Sequence, residues 1–300
     1  MHAVLIHETG GPDVLRYEEA EQPKPGAGEV LIEVRAASVN PIDWKIRRGL
    51  RETQLPTVLG NDVSGVIQIS HADGLAQADE VFGIAPSGGY AEFATAPIGL
   101  VAKKPAGISH EQAAALPVAG MTAWQALFDR GALQKDQTAL VAGGAGGVGH
   151  LAVQFAKHAG ARVIATGSVR NRDFVLGLGA EEYIDYTSQD LSEVAGRVDV
   201  AFDTVGGETT ESLLPTLREG GVLVTIANAP PEQAAAQRGA RAELLVMSPS
   251  SEQLARIAGL VADGSVRVEI AQTFQLSEAR HAHELSEAGH TRGKIVLEVG

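Results

Sequence analysis

The segment from Thr138 to Asn171, TALVAGGAGGVGHLAVQFAKHAGARVIATGSVRN, constrains the fold of this 300-residue chain more than any other. It begins with a short apolar run, TALVA, that is typical of a buried strand. After a glycine-rich turn, apolar residues recur at the spacing of one helix face, at Val148, Leu151, Ala152, Phe155 and Ala156. The run ARVIATG then has strand character again. The order strand, helix, strand within about 30 residues predicts a parallel βαβ unit.

The turn between the first strand and the helix fits the pattern G-x-G-x-x-G over Gly144, Gly146, Gly147, Val148 and Gly149. In this pattern the first glycine permits a tight turn, the second lets a pyrophosphate approach the backbone, and the third lets helix and strand pack closely. The free N–H groups and the positive end of the helix dipole then face the phosphates. With 35 glycines in the chain, the alternative is an ordinary glycine-rich turn. The strand and helix around it favour a dinucleotide site.

The end of the second strand indicates which dinucleotide this would be. Sites for NAD usually carry Asp or Glu about 20 residues after the glycines, where it binds the ribose 2′-hydroxyl. Ser168 stands there instead, followed by Arg170 and Arg172, and the first acid is Asp173. A guanidinium suits a 2′-phosphate, which a carboxylate would repel. We therefore predict NADPH rather than NADH; the alternative is that the arginines are solvated residues of a helix start.

The remaining sequence divides into a β-rich part and an alternating part. Residues 1 to about 115 are short β-branched runs separated by turn signals. From about Pro117, helical and strand patterns alternate, which predicts a parallel sheet with helices on both faces. A helix over 251–262 closes this run, and Pro215 should end or kink an earlier one. The tail returns to strand character, and its pattern leaves open whether it rejoins the first part.

Composition excludes several classes of function. The net charge of −13 disfavours nucleic-acid or anionic-membrane partners, and no apolar run approaches the length of about 18 residues that a membrane span needs. The densest basic run of the chain, KIRRGLR over 45–51, could be an RNA site, but the net charge favours a solvated face or an anion-binding corner. No cysteine is present, so disulfides and thiolate chemistry are absent. We expect a soluble protein of the cytoplasm.

Motifs along the whole chain resemble the medium-chain dehydrogenase/reductases, in their zinc-free quinone oxidoreductase (zeta-crystallin-like) branch. They are RAASVNPIDWKIRRG (35–49), PTVLGNDVSGVI (56–67), DEVFGIAPSGGYAEFA (79–94), ALPVAGMTAWQAL (115–127), the glycine turn, FDTVGG (202–207) and GHTRGKIVLEV (289–299). The resemblance implies an α/β protein with a GroES-like β-rich catalytic domain, 1–118 completed by 265–300, and a doubly wound Rossmann domain, 119–264. It also implies an active site in the cleft and a homodimer or homotetramer.

Zinc members of the family need a cysteine and a His–Glu pair. Asn61 and Asp62 stand where that pair would be, no cysteine exists, and the nine histidines show no metal-binding spacing. His281 and His283, two residues apart, would point to different sides of a helix. We therefore predict no metal and no alcohol dehydrogenation.

By resemblance, Asn40 lies near the nicotinamide and the acceptor, where its amide could donate to a developing oxyanion. Thr122 resembles a family threonine near the nicotinamide ring. Asp43 could orient a neighbour or cap the segment that begins at Trp44, and Tyr90 could border the cleft or be a half-buried strand aromatic. The alternatives for Asn40 and Thr122 are a turn residue before Pro41 and a helix-start hydroxyl.

Two further residues resemble cofactor contacts of the family. Tyr186 resembles a residue beside the adenosine 2′-phosphate, and its alternative is a core aromatic. Lys294 resembles a C-terminal contact that closes over the cofactor, and its alternative is a surface lysine on the last strand.

These features together predict a zinc-independent, NADPH-dependent reductase of quinones or related conjugated carbonyls. An enoyl reductase acting on thioesters or enones is the first alternative, since it shares fold and cofactor. A non-catalytic NADPH-binding protein, structural or regulatory, is the second.

Overall fold

The computed structural model describes every residue from Met1 to Gly300. The chain forms two compact units, the first made of Met1–Met121 with Pro249–Gly300, and the second of Thr122–Ser248. The predicted domains differ from these units mainly at 249–264, which lies in the first unit. None of the helices combines the length and the apolar character needed to cross a membrane.

The sixteen strands are, in chain order, β1 (His2–Ile6), β2 (Arg16–Glu19), β3 (Glu29–Val39), β4 (Thr57–Val58), β5 (Asp62–Ser70), β6 (Glu80–Ile84), β7 (Phe93–Pro97), β8 (Val101–Lys103), β9 (Thr138–Ala142), β10 (Arg162–Gly167), β11 (Glu182–Asp185), β12 (Val198–Asp203), β13 (Leu217–Thr225), β14 (Arg241–Leu244), β15 (Ile270–Gln275) and β16 (Lys294–Glu298). The helices are α1 (Pro41–Arg47), α2 (His110–Ala114), α3 (Pro117–Trp124), α4 (Gly149–His158), α5 (Arg172–Gly177), α6 (Glu208–Ser212), α7 (Glu232–Ala236), α8 (Ser251–Ala262) and α9 (Ala279–Ala288). A π-helical segment, Gln125–Arg130, continues α3.

The first unit is built on two sheets. One has the order β15-β16-β3-β5-β6-β8, with β7 also paired to β3, and the other has the order β2-β1-β4. Strand β16 pairs antiparallel with β3, and Ile295 lies opposite Val39. The tail therefore joins the β-rich first part of the chain. Because of this register, Lys294 at the start of β16 lies next to Asn40, which follows β3.

The second unit is a parallel sheet of six strands in the order β11-β10-β9-β12-β13-β14. Strand β9 is buried along its whole length, as the run TALVA predicts. The chain extends from β9 to β10 and β11 on one side, and then places β12, β13 and β14 on the other. The order thus reverses beside β9, and ligands of such sheets bind at the carboxyl ends of the strands at that point.

Several helices follow their sequence signals. Helix α8 has the predicted bounds, and α6 ends at Ser212, before Pro215, which lies in the following 3₁₀ turn. The apolar face of α8 is buried in the first unit, where Ile257 packs near Gly120. Helix α9 was not predicted, because its sequence ARHAHELSEA is polar and lies between two strand-like runs. It brings His283 into the core of the first unit.

Candidate active site

The glycine turn, Gly143 to Gly149, connects β9 to α4 in the second unit. Gly143 has a φ of +75°, and a Cβ placed on it would lie 2.6 Å from the Thr204 hydroxyl. A Cβ on Gly144 would lie 2.9 Å from that of Ala165 on β10. The left-handed residue of the tight turn is therefore Gly143, just before the predicted pattern, whereas Gly144 lets the turn pack against β10.

The last two glycines of the turn have different surroundings. A Cβ on Gly149 would overlap the carbonyl oxygen of Gly143, so packing within the protein requires glycine there. A Cβ on Gly146 would meet only that same oxygen, at 3.3 Å. Packing alone does not explain a glycine at 146, but a ligand that must approach the backbone does. The turn fits a dinucleotide pyrophosphate by this test.

Val148 and Gly149 open helix α4, and their N–H groups precede the first intrahelical hydrogen bonds. The helix is held to the turn by His150, whose backbone N–H donates to the Gly146 carbonyl and whose Nδ1 lies 2.9 Å from the same oxygen. Gly146, Gly147 and Val148 are partly exposed. The turn thus presents accessible backbone donors at the positive end of a helix, which is a favourable place for phosphate.

A second loop supports the turn from the end of β12. Thr204 donates its hydroxyl hydrogen to the Ala142 carbonyl at 2.7 Å. The buried Asp203 carboxylate accepts hydrogen bonds from the N–H groups of Val205 and Gly206 and from the Thr210 hydroxyl. In the sequence this loop is visible only as the family motif FDTVGG. An acid at a strand end, followed within four residues by two glycines, is the signal that predicts this loop-fixing role.

Ser168 follows β10, where the ribose-binding acid of NAD sites would stand. Its carbonyl accepts a hydrogen bond of 2.7 Å from the Tyr183 hydroxyl. Burial raises the pKa of Tyr183 to about 12, so this phenol stays protonated and keeps donating. Arg170 is exposed next to it, and Arg172 lies with its guanidinium carbon 5.9 Å from the centre of the Tyr183 ring. The strand end therefore carries cations and hydroxyls.

Asp185 is the acid closest to this corner along the next strand, and it is occupied by its own turn. Its carboxylate accepts hydrogen bonds from the N–H and hydroxyl of Thr187 and from the Ser188 hydroxyl, and these bonds lower its pKa. Tyr186 follows it and is 57% exposed. The alternative of Tyr186 as a core aromatic is wrong, because its ring lies on the surface of this unit.

In the first unit, six side chains form what we call the buried polar cluster: Asn40, Asp43, Asp62, Tyr90, His283 and Lys294. They come from the β3–α1 junction, the start of β5, the segment before β7, α9 and β16. All six are at most 4% exposed. Hydrogen bonds among the members offset most of the cost of burying these polar groups, and His283 Nδ1 is the one atom of the cluster that is buried with no hydrogen-bond partner.

Asn40 lies at the centre of this cluster. Its Oδ1 accepts a hydrogen bond of 2.5 Å from the Lys294 ammonium, and its Nδ2 donates to Asp62 Oδ2 at 2.8 Å. Asp62 also accepts from the Ser38 hydroxyl and from the N–H of Val118. Lys294 is 3% exposed, so the alternative of a surface lysine is wrong.

Burial and the opposite charge act against each other on the charged pair of the cluster. Burial raises the pKa of Asp62 and lowers that of Lys294. Each charge partly offsets the effect on its partner, from which it lies 3.9 Å away. Lys294 and three hydrogen-bond donors thus counteract the effect of burial on the pKa of the Asp62 carboxyl group.

Asp43 forms the second half of the cluster. Its Oδ2 accepts from the Asn40 backbone N–H at 2.8 Å and from the Tyr90 hydroxyl at 2.7 Å. Asn40 is the N-cap of α1, so Asp43 is the third helical residue and caps from inside the helix. Burial raises the pKa of Asp43 to about 7. Tyr90 is fully buried and lies outside any strand, which differs from both interpretations of the sequence.

His283 extends the cluster toward α1. Its Nε2 lies 3.3 Å from the Tyr90 hydroxyl oxygen, and burial lowers its pKa to about 3. Because the Tyr90 hydroxyl donates to Asp43, its oxygen is left to accept, which places the imidazole hydrogen on Nε2. The neighbouring Arg47 is also fully buried and donates to Glu287 of α9 at 2.6 Å. The basic run 45–51 is thus partly an internal ion pair rather than a solvated face.

The remaining predicted residues are placed as follows. Thr122 is buried on α3. Asn61 is exposed and the adjacent Asp62 is buried, so the two positions of the family's His–Glu pair face different surroundings. No group of three or more His, Cys, Asp or Glu side chains comes together in a way that could hold a metal ion.

Comparisons with known proteins agree with this architecture. Residues 26–106 match the alcohol dehydrogenase GroES-like domain, and residues 178–297 match a family described as zinc-binding dehydrogenase. The chain is 34% identical to the chloroplast envelope quinone oxidoreductase homolog of Arabidopsis thaliana, over 99% of this chain and 98% of that protein. It is 33% identical to the NADPH-dependent alkenal/one oxidoreductase of the same plant, over 99% of this chain and 79% of that protein.

Solved structures show the same relationship. The quinone oxidoreductase of Coxiella burnetii superposes with a TM-score of 0.95 at 38% identity, covering 100% of this chain and 99% of that one. An NAD-dependent alcohol dehydrogenase gives 0.93 at 30% identity, with full coverage of both chains. Escherichia coli quinone oxidoreductase complexed with NADPH gives 0.90 at 29%, covering 99% of this chain and 100% of that one.

These relatives also settle the general chemistry, since the residues of the glycine turn fit the nicotinamide dinucleotide that such enzymes use. The chain combines a GroES-like sheet with a Rossmann sheet. It also matches relatives at 30% identity or more over nearly its whole length, and both findings indicate the same family. The chain is an oxidoreductase of the medium-chain dehydrogenase/reductase superfamily, and its relatives there are quinone oxidoreductases and similar enzymes.

Proposed function

We propose that the protein reduces quinones or related conjugated carbonyls with NADPH and without a metal ion. The observation that carries the proposal is the end of β10, where Ser168 and Arg170 replace the carboxylate of an NAD site. A 2′-phosphate would find hydroxyl and guanidinium donors there. The acid on the neighbouring strand, Asp185, directs its carboxylate at Thr187 and Ser188 of its own turn. The comparisons include both an NADPH complex and an NAD-dependent enzyme, so our preference for NADPH rests on the residues at this strand end.

The metal-free part of the proposal rests on the residues at the position of the family's zinc ligands. Asp62 accepts hydrogen bonds from Ser38, Asn40 and Val118, and the chain contains no cysteine. Without a cation to polarise an alkoxide, hydride delivery to an electron-poor acceptor is the easier reaction. A quinone fits because the product oxyanion resembles a phenolate, whose conjugate acid has a pKa of about 10.

When bound, the cofactor supplies the hydride; the protein supplies orientation and electrostatics. Gly144, Gly146, Gly147, Val148 and Gly149 would hold the pyrophosphate, and Tyr186 with Ser168 and Arg170 would hold the 2′-phosphate. Asn40 would donate to the oxyanion that forms on the acceptor. Only one of its two Nδ2 hydrogens is directed at Asp62, so the other remains for this role.

Thr122 would contact the nicotinamide ring, as the family resemblance implies. Asp43 would act through Asn40, because its carboxylate holds the Asn40 backbone N–H and so fixes the start of α1. For Lys294 the geometry favours a role toward Asn40 over a direct contact with the cofactor, since its ammonium is already bonded to the Asn40 carboxamide.

Reduction of enones or enoyl thioesters is the second candidate, favoured by the 33% identity to the alkenal/one oxidoreductase. Both reactions deliver hydride to a conjugated system and leave an oxyanion for Asn40. They differ in the acceptor, which fold does not determine.

The test is an acceptor panel followed by the loss of NADPH absorbance. We expect 1,4-benzoquinones to give the highest kcat/KM, and a faster rate with 2-enones or 2-enoyl thioesters would select the second candidate. Alcohol oxidation faster than either reduction would contradict the proposal. Cofactor binding with no turnover of any acceptor would instead identify a non-catalytic NADPH-binding protein.

We further propose that the protein acts in the cytoplasm as a homodimer or homotetramer. The edge strand β14 and the residues after it expose Leu244 and Val246, which are 44% and 76% exposed. An exposed sheet edge with apolar side chains can pair with a second copy. Light scattering of the wild type and of a Leu244→Lys, Val246→Lys variant would show whether this edge holds the assembly together.

A further inference from the structure

The carboxamide of Asn40 lies between two opposite charges. The Lys294 ammonium, which can only donate hydrogen bonds, is 2.5 Å from Oδ1, and the Asp62 carboxylate, which accepts them, is 2.8 Å from Nδ2. If the amide were rotated by 180°, its nitrogen would face the ammonium and its oxygen the carboxylate. Both contacts would be repulsive, so only one orientation is possible.

We propose that Lys294 and Asp62 are positioning residues that lock the Asn40 carboxamide and strengthen the N–H group it offers to the acceptor. The proposal rests on the role of Asn40 in the proposed function. The ammonium on Oδ1 draws electron density from the amide, which makes the nitrogen a better hydrogen-bond donor. One Nδ2 hydrogen is used by Asp62, and the other keeps a fixed direction.

The arrangement is costly if it serves stability alone. Lys294 and Asp62 are 3% and 0% exposed, yet their closest charged atoms are 3.9 Å apart, with the Asn40 amide bridging them. Buried ion pairs commonly contribute little compared with apolar side chains of the same size. The geometry therefore makes sense as a means of holding Asn40, whose backbone is fixed independently by Asp43.

The variants that test the proposal are Lys294→Met, Asp62→Asn and the double variant. Lys294→Met should lower kcat for 1,4-benzoquinone by about 10- to 100-fold, because small displacements of a positioned group cost this much. Its KM for NADPH should change less than threefold. Asp62→Asn should cost less, since an amide oxygen can still accept from Asn40.

The double variant separates positioning from stability. It removes both charges of the Lys294–Asp62 pair, so its Tm should return toward that of the wild type while kcat stays low. Recovery of kcat together with Tm would overturn the proposal, because the pair would then matter only for folding. Lys104→Met is the matched control: the Lys104 side chain is only 7% exposed in the same unit and is bonded to the Ile108 carbonyl and to Glu80, and its loss should leave kcat unchanged.

The pH profile distinguishes positioning by the ammonium from a purely structural role of Lys294. The ionisable groups that face Lys294 are Asp62 and Asp43. Only the ammonium form holds and polarises Asn40 Oδ1, so kcat of the wild type should fall at high pH as Lys294 loses its proton. Lys294→Met should lack this high-pH limb, and a limb that persists unchanged in the variant would overturn the proposal.

A measurement on the protein without cofactor keeps this inference separate from the proposed function. The chain has four asparagines, at 40, 61, 171 and 228, so labelling with ¹⁵N-asparagine gives four side-chain amide pairs. The Asn40 pair, identified by its loss in Asn40→Asp, should exchange slowly with solvent in the wild type. In Lys294→Met it should shift and exchange at least about tenfold faster, and an unchanged pair would refute the lock even if no acceptor is turned over.

Discussion

The glycine turn and the buried polar cluster are built in opposite ways. The turn is made of backbone from seven consecutive residues, and its proposed function depends on side chains that are absent. The cluster is made of six side chains from five separate segments, and its proposed function depends on their mutual hydrogen bonds. A local backbone feature leaves a pattern in the sequence, whereas a set of distant side chains does not.

The two regions also differ in how they tolerate change. In the turn, Gly143, Gly144 and Gly149 each leave room for a neighbouring group, and a side chain at these positions would collide with it. In the cluster, each charge is stabilised by partners that titrate, so its energetics depend on pH.

The largest effect is expected for Gly149→Val, compared with Gly146→Val. A side chain at 149 would overlap the Gly143 carbonyl, so we expect a loss of about 3 kcal/mol in the free energy of unfolding. At 146 a side chain meets only that oxygen, at 3.3 Å, so stability should fall by less than about 1 kcal/mol. Cofactor affinity should nevertheless fall more than about tenfold, or 1.4 kcal/mol, in the 146 variant. Denaturant unfolding and cofactor titration check both, and tight cofactor binding by Gly146→Val would remove the pyrophosphate from this turn.

The next effect is on the pH dependence of stability, to which Asp43 and His283 of the cluster contribute with opposite sign. The pKa of Asp43 is raised from 3.8 to about 7, so its contribution to stability is present below pH 3.8 and is lost as the pH rises to about 7. The pKa of His283 is lowered from 6.5 to about 3, so its contribution is present above pH 6.5 and is lost as the pH falls toward 3.

Relative to the wild type, Asp43→Asn should therefore gain stability as the pH rises from about 4 to 7, and His283→Gln should gain it as the pH falls from about 6 to 3. Each slope should reach up to about 1.4 kcal/mol per pH unit, the value for one proton. Urea unfolding at several pH values measures both slopes. If the stability differences of the two variants changed with pH in the same direction, the cluster would not favour a protonated Asp43 and a neutral His283.

A smaller effect is expected at the end of β10, where we propose that the 2′-phosphate of NADPH binds. Ser168→Ala with Arg170→Ala should weaken NADPH binding by about 10- to 100-fold, the range of one or two charge-assisted hydrogen bonds, and should leave NADH binding nearly unchanged. Arg172→Ala is the control, because that guanidinium already contacts Tyr183. Equal losses for both cofactors would move the 2′-phosphate elsewhere.

The smallest effect is expected from chelators. Overnight treatment with EDTA or 1,10-phenanthroline should leave kcat/KM unchanged, because Asp62 is bonded to Asn40 and Ser38 rather than arranged with other metal ligands. Inhibition that zinc reverses would contradict the metal-free proposal.

The sequence predicted the fold class correctly, and the Rossmann unit most completely. Its strands and helices alternate locally, so TALVA and the helix face after it suffice to predict β9 and α4. The sequence pattern assigns the tight turn to Gly144, whereas Gly143 is the residue with the positive φ. A run of four glycines in five positions does not show which of them takes this conformation.

The cluster could be predicted only in part. Asn40, Asp43 and Lys294 were identified as candidates by resemblance, but His283 was missed and Tyr90 was given the wrong surroundings. Their association depends on β16 pairing with β3 and on the unpredicted α9, and both are long-range events. No periodicity within a short window contains that information.

The return of β16 to β3 has a consequence for biosynthesis. The ribosome makes all six strands of the nucleotide-binding sheet before it makes Lys294, so that unit can close while the chain is still growing. The GroES-like sheet must wait, with the Asp62 carboxylate lacking its countercharge until the last strand emerges. The half of the enzyme that is begun first is therefore the half that is finished last.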